Sequence, residues 1–215
     1  MRIVITGGPS VGKTTIISML ESAGYPVVNE MATQIIKEGK FLPWVDRSSF
    51  QAEVLRRQLE AEAKVLDEEG VVFLDRGLFD GEAYYIHDKI EIPEAFSRFS
   101  GDRYTVALLI EELPFFEVNE VRRENIEFAR QISQILETCY TSRGVKVVRI
   151  PAMPAPERLE FVLKAVNELA NQFVTKISVM ENWDTLPPTN TRQSGRSKAH
   201  KQVIPIHANV LASNK

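Results

Sequence analysis

Short apolar runs alternate with longer stretches of helical periodicity along the chain. Arg2-Ile3-Val4-Ile5 reads as a buried strand that runs straight into Thr6-Gly7-Gly8. A helix follows at 13–22, with Ile16, Ile17, Met19 and Leu20 on its buried side and Gly24 as its stop. Val27-Val28 makes a second short strand, and a helical stretch covers 31–38. Phe41-Leu42-Pro43-Trp44 is an aromatic loop. Asp46 to Ser49 offer N-caps for a long helix to about 69, its apolar face made by Phe50, Val54, Leu55, Leu59, Ala61, Val65 and Leu66. Val71 to Leu74 is a continuous apolar strand closing on Asp75-Arg76-Gly77. Helical pieces are expected at 79–89 and 93–100, a fourth strand at Thr105 to Ile110, and a loop from Leu113. A helix at 121–141, a fifth strand at Val145 to Ile150 and a last helix from Pro156 to about Ala170 complete the pattern.

Most strands are apolar at every residue, the mark of a parallel sheet covered on both faces. The expected fold is therefore α/β, a five-stranded parallel sheet with helices on both faces. Residues 1–181 read as one domain. Residues 182–215 turn rich in Pro, Thr, Ser, Asn and Gln, and read as a mobile polar tail. Within it, Val203 to Ile206 could dock on a protein partner.

Charge sharpens that division. The net charge is −3, but no Asp or Glu follows Asp184; the last 31 residues carry +5 and the body −8. An acidic body argues against a nucleic-acid surface. One cysteine, Cys139, excludes an internal disulfide framework and a multi-cysteine metal site. The apolar runs are too short for a membrane span or a signal-peptide core, so a reducing cytoplasm is the expected compartment.

The chemistry concentrates at strand ends. Gly7, Gly8, Pro9, Ser10, Val11, Gly12, Lys13 and Thr14 match G-x-x-x-x-G-K-[ST], between a strand and a helix. In that arrangement glycines allow torsions that a Cβ forbids, and successive N–H groups face a phosphate at the positive end of the helix, which continues through Thr15. Lys13 adds a mobile charge, and the Thr14 hydroxyl is a ligand for Mg2+. Asp75 ends the strand Val71 to Leu74, where a carboxylate faces the nucleotide crevice and can hold Mg2+. Arg76 follows it, not the water-activating glutamate of mechanical ATPases, and the Asp-Arg pair resembles that of small-molecule kinases. Glu30, past the second strand, could take a proton from an acceptor hydroxyl or stand as a helix N-terminal acid. Arg122 and Arg123 begin a helix, where the dipole disfavours them; a lid that closes over the phosphates would give them a purpose. Asp80, Tyr84, Tyr85, Phe41 and Trp44 are candidates for an acceptor pocket, and Pro151 and Met153 for apolar contact with a base. His87 reads as a surface or satisfied core histidine rather than a catalyst, and Cys139 as a small buried hydrophobe on its helix.

Gly7 to Thr15, Val27 to Ala32, Phe73 to Asp80 with Ala83-Tyr84, and Arg122 before a long helix together resemble the AAA-domain family of small P-loop ATPases and kinases. That group includes ribosylnicotinamide-kinase domains and translocation-defect-type P-loop proteins. The resemblance covers residues 1–170 and implies ATP, Mg2+ and a nucleoside- or nucleotide-kinase-like P-loop NTPase fold. In some members it implies transfer of the γ-phosphoryl group to a hydroxyl of a small acceptor. Lys13, Asp75, Arg76, Glu30, Arg122 and Arg123 would then be catalytic, with Asp75 or Glu30 as base. A nucleotide-hydrolysing switch that acts on a protein or lipid partner is the alternative, and a nucleotide-binding pseudoenzyme a third. No Asn-Lys-x-Asp guanine reader is present, which favours ATP over GTP.

Overall fold

The structure, a computed structural model, describes residues 1–112 and 120–183. Met1–Val162 form one compact unit and Leu163–Lys215 a second, whose described part is the remainder of the last helix. In chain order the elements are β1 (Arg2–Thr6), α1 (Lys13–Ser22), β2 (Val27–Val28), α2 (Met31–Glu38), α3 (Arg47–Ala63), β3 (Val72–Asp75), α4 (Leu78–Asp88), β4 (Val106–Ile110), α5 (Glu120–Thr141), β5 (Val147–Ile150) and α6 (Ala155–Trp183).

The five strands form one sheet in the order β2-β3-β1-β4-β5, parallel throughout. β1 is central, and its four residues Ile3 to Thr6 are buried. Alternate side chains leave by opposite faces. Val4, Leu74, Ala107 and Leu109 join the main core with Ile35, Phe50, Phe79, Ile132 and Tyr140 from α2 to α5. Ile3, Ile5 and Phe73 face the other way, the side covered by Ile16, Ile17 and Leu20 of α1. Register brings Asp75 beside Ile5 and Leu74 beside Val28. The carboxyl ends of β1, β2 and β3 therefore open onto one edge, where ligands of such sheets bind.

Three boundaries differ from the sequence reading. α3 stops at Ala63, short of 69; Val65 N–H and Glu68 N–H then donate to carbonyls three residues back. The chain must bend here for Val72 to pair with Arg2, and the Arg2 guanidinium takes the freed Leu66 carbonyl at 2.8 Å. The piece expected at 93–100 is a short 3-10 turn, Glu94–Arg98, followed by another at Gly101–Arg103. α6 continues to Trp183, because residues 171–183 contain neither glycine nor proline to stop it. No described helix is long and apolar enough to cross a membrane. The tail from 184 on and the loop at 113–119 lie outside the described residues.

Candidate active site

The turn from β1 into α1 is built from strained backbone. Gly7 has φ 141°, and a Cβ there would lie 2.7 Å from the Ile110 carbonyl oxygen. Ser10 and Gly12 also have positive φ, at 61° and 91°. Gly12 is the N-cap of α1 and carries no side-chain cap, so the first N–H groups of the helix are left for a ligand. Thr14 and Thr15 are exposed on that first turn. Pro9 is half-buried and Val11 buried. Lys13 is not the mobile group of the sequence reading: it is 7% exposed, and Nζ donates to Gly7 O at 3.1 Å and Gly8 O at 2.6 Å. Burial, helped by the nearby Arg76 charge, lowers its pKa against the opposing pull of Asp75, Glu30 and Asp80. From α6, Arg158 donates through Nη1 to the Val11 carbonyl at 2.6 Å. It is 2% exposed, and its Nε and Nη2 have no partner. The sequence reading missed it, since an arginine in the first turn of an amphipathic helix ordinarily points to water.

Asp75 ends β3 one strand away. It is 4% exposed, and Oδ1 accepts no hydrogen bond. Burial, and then the Glu30 charge, push its carboxyl up to about 6. An orphaned buried carboxylate is costly and calls for a cation or a donor that arrives with a ligand. Among the described residues no cluster of three or more His, Cys, Asp or Glu could hold a metal. A protein cage is therefore absent there, but Mg2+ does not require one; it takes one or two protein oxygens, water and substrate phosphates. Thr14 and Asp75 fit that donor set.

Arg76 joins the phosphate loop to the next pocket. Its backbone is left-handed, φ 69°, a conformation that costs a non-glycine residue about 1–3 kcal/mol. Nε donates to Glu30 Oε1 at 2.6 Å, and Nη1 to Gly7 O at 3.2 Å and Asp80 Oδ1 at 3.1 Å. The guanidinium lies 5.4 Å from the centre of the Tyr84 ring. Burial alone would raise the Glu30 carboxyl, but the Arg76 charge and hydrogen bonds from Thr33 and Arg76 hold it below its usual value. Glu30 is the N-cap of α2, yet its side chain does not cap the helix. Asp80 is a hub rather than a free pocket group: its carboxylate also accepts from Thr6 Oγ1, Gly77 N–H and the Tyr140 hydroxyl.

Beyond this pair a cavity of about 150 Å³ opens between α2, α3 and α4. Glu30, Arg76 and Tyr84 line it, with Met31, Phe50 and Gln51. Gln51 is 4% exposed. One end of the site can thus hold polyphosphate, while the other encloses a small partly apolar molecule, with two carboxylates between them.

The sequence matches the family model described as AAA domain over residues 2–158. The chain belongs to the AAA-domain family. No curated protein matches it in sequence. Its fold is that of P-loop kinases. It resembles the NadR protein in complex with NR, with TM-score 0.59 and 19% identity, over 78% of this chain and 50% of that one. The NadR protein in complex with NAD and AMP-PNP gives TM-score 0.53 and 20% identity, over 79% and 49%. Deoxyadenosine kinase from M. mycoides gives TM-score 0.51 and 15% identity, over 79% and 100%. The chain spans about half the length of NadR.

In this AAA-domain chain the structure brings Lys13, Asp75, Arg76 and Glu30 together. Arg122 and Arg123 fall in the first turn of α5, and their side chains lie outside the described residues. Tyr84 lines the cavity, but Tyr85 is buried edge-on against Phe96 as core. Trp44 is 70% exposed, and Phe41 packs half-buried on the core. Pro151 is exposed and Met153 half-buried in the loop after β5. The sequence did not single out Gln51 on α3, because nothing in the local pattern marks it as buried.

Proposed function

We propose that this AAA-domain protein is an ATP-dependent small-molecule kinase that transfers the γ-phosphoryl group of ATP to a hydroxyl acceptor. The carrying observation is the cavity between α2, α3 and α4, lined by Glu30 and by Arg76, whose Nη1 also donates to Gly7 O of the phosphate loop. Hydrolysis of ATP by water needs no such compartment. The kinase identity of a structural neighbour, deoxyadenosine kinase, supports the reading by analogy of fold.

In this reading the loop N–H groups from Ser10 to Lys13 and the start of α1 hold the β- and γ-phosphates. Lys13 exchanges its carbonyl partners for phosphate oxygens. Thr14 and Asp75 hold Mg2+, which neutralises charge on the phosphates when bound. The acceptor lies in the cavity with a hydroxyl near Glu30 and Asp75. Its oxygen forms the new bond to the γ-phosphorus as the bond to the ADP oxygen breaks, and one of the two carboxylates takes the hydroxyl proton. Arg76 holds Glu30 ionised and lowers its basicity, whereas burial raises that of Asp75, whose Oδ1 is also unpartnered and open to a cation. Arg76 holds Glu30 and Asp80 in place, and Arg122 or Arg123 would offset transition-state charge.

The test is ATP-dependent phosphorylation across a panel of nucleosides, vitamins and sugar alcohols, followed by product mass. A product heavier by one phosphoryl group, lost in Lys13→Ala, is expected. Slow ATP hydrolysis that no acceptor accelerates and a protein partner does would replace the kinase with a regulatory switch.

A further inference from the structure

Arginines that turn inward in this fold are matched by acids. Arg76 meets Glu30, Arg103 meets Glu62 and Arg143 meets Glu82, each at 2.6 Å. Arg158 departs from that rule. It stands in the first turn of α6, its N–H bonded to the Pro154 carbonyl, and its side chain runs to the phosphate loop. It is only 2% exposed, yet among the described residues no carboxylate pairs with it, and Nε and Nη2 have no partner. Burial lowers its pKa, and no neighbouring acid raises it. The place adds to the cost, because the dipole of α6 disfavours a cation near the N-terminus. An unpaired buried charge is strongly unfavourable, and an apolar side chain of similar length would avoid it. Packing alone therefore does not account for an arginine here.

Its single side-chain bond shows where the charge acts. Nη1 grips the Val11 carbonyl at 2.6 Å, and a Cβ on Gly12 would stand 3.0 Å from the same nitrogen. The Val11 C=O and the Gly12 N–H belong to one trans peptide, so they point opposite ways. Holding the carbonyl toward Arg158 sends the Gly12 N–H away from it. A cation on the oxygen also polarises the peptide and makes that N–H a stronger donor. Gly12 is the N-cap of α1, whose first N–H groups have no side-chain cap. The positive ends of α1 and α6 thus meet at one turn, with a buried guanidinium behind it.

We propose that Arg158 is a positioning residue whose buried charge is balanced only by a polyphosphate in the loop, and that it acts on that anion through the Val11–Gly12 peptide. The proposal rests on the reading of Gly7 to Thr14 as a phosphate loop, and it does not depend on what accepts the phosphoryl group. Arg158 itself touches no phosphate, since Nε and Nη2 are enclosed by protein. The ligand-free protein carries the cost of the charge, and nucleotide binding relieves it.

The test is calorimetric binding of ATP and of inorganic tripolyphosphate to the full chain, with urea unfolding of the ligand-free protein, in the parent, Arg158→Met, Arg158→Lys and Lys13→Ala. Arg158→Met should weaken both ligands at least tenfold, and by the same factor within twofold, because the charge acts on phosphate and not on the base. Its ligand-free form should unfold at an equal or higher urea concentration than the parent, which a residue kept only to brace the loop would not give. Arg158→Lys, which keeps a charge on the side chain, should bind both ligands within fivefold of the parent. An affinity indifferent to Arg158→Met, a loss confined to ATP, or a lower unfolding midpoint in Arg158→Met would overturn the proposal. Tripolyphosphate binding that needs Lys13 but not Arg158 removes the proposal and leaves the phosphate loop standing; a parent that binds neither ligand removes both.

Discussion

Single residues here carry opposite electrostatic burdens a few ångströms apart. Glu30 is held ionised by Arg76, so its folded pKa lies below the unfolded value. Its pairing stabilises the protein above that unfolded value and is lost as pH falls through the folded one. Asp75 has the reverse sign. Its pKa is raised to about 6, so the ionised form costs stability; the cost is absent below the unfolded pKa of about 4 and complete above about 6. Asp75→Asn is therefore expected to match the parent in urea unfolding at pH 4 and to exceed it at pH 7. Equal stability at both values would show that Asp75 has a partner in the free protein. Cys139 is a simpler case. Burial, reinforced by Glu82, pushes its thiol up to about 12. A disulfide reagent at pH 8 should modify it no faster than the protein unfolds. The motif residues from Gly7 to Thr15 and the pair Asp75-Arg76 were legible because spacing and a flanking strand define them. Gln51 and Arg158 were not, since their burial depends on elements distant in sequence. Both read as ordinary polar positions on amphipathic helices.

Elements are tied together by one buried acid. Glu62 of α3 is fully buried. It accepts from Gln58, from the Leu78 N–H that opens α4, from the Tyr104 hydroxyl and from Arg103 at 2.6 Å. It thus fixes α3 against the start of α4, the two walls of the cavity. Glu62→Ala leaves Arg103 without its partner, and should cost about 3–5 kcal/mol in urea unfolding. A loss below about 1 kcal/mol would mean that water replaces the carboxylate freely. The helix and strand pattern was readable because each strand is an apolar run and each helix keeps its period. The end of α3 was not, because Val65 and Leu66 continue the apolar period past the point where the sheet forces the chain to turn. The length of α6 was underestimated for a related reason: polar residues weaken a period without breaking a helix.

At the scale of the whole molecule, the match to the AAA-domain family ends at residue 158 and the basic tail begins after Asp184. We propose that nucleotide and acceptor binding belong to the body. Removal of residues 184–215 is expected to leave ATP affinity within a few-fold in calorimetry. A larger loss would give the tail a part in the nucleotide site. The fold class and the edge of the sheet that carries the chemistry followed from the alternation of strands and helices. The acceptor pocket did not, because its walls come from α2, α3 and α4 and meet only once the chain is folded.

The claim on which the account turns is that the turn after β1 grips a polyphosphate while Asp75 steadies its Mg2+. It is tested by ATP affinity with and without Mg2+ in the parent, Lys13→Ala and Asp75→Asn. Lys13→Ala should lose affinity at least 100-fold in either case. Asp75→Asn should retain metal-free affinity but lose the gain that Mg2+ gives the parent. An affinity unchanged by Lys13→Ala, or a full Mg2+ response in Asp75→Asn, would contradict it.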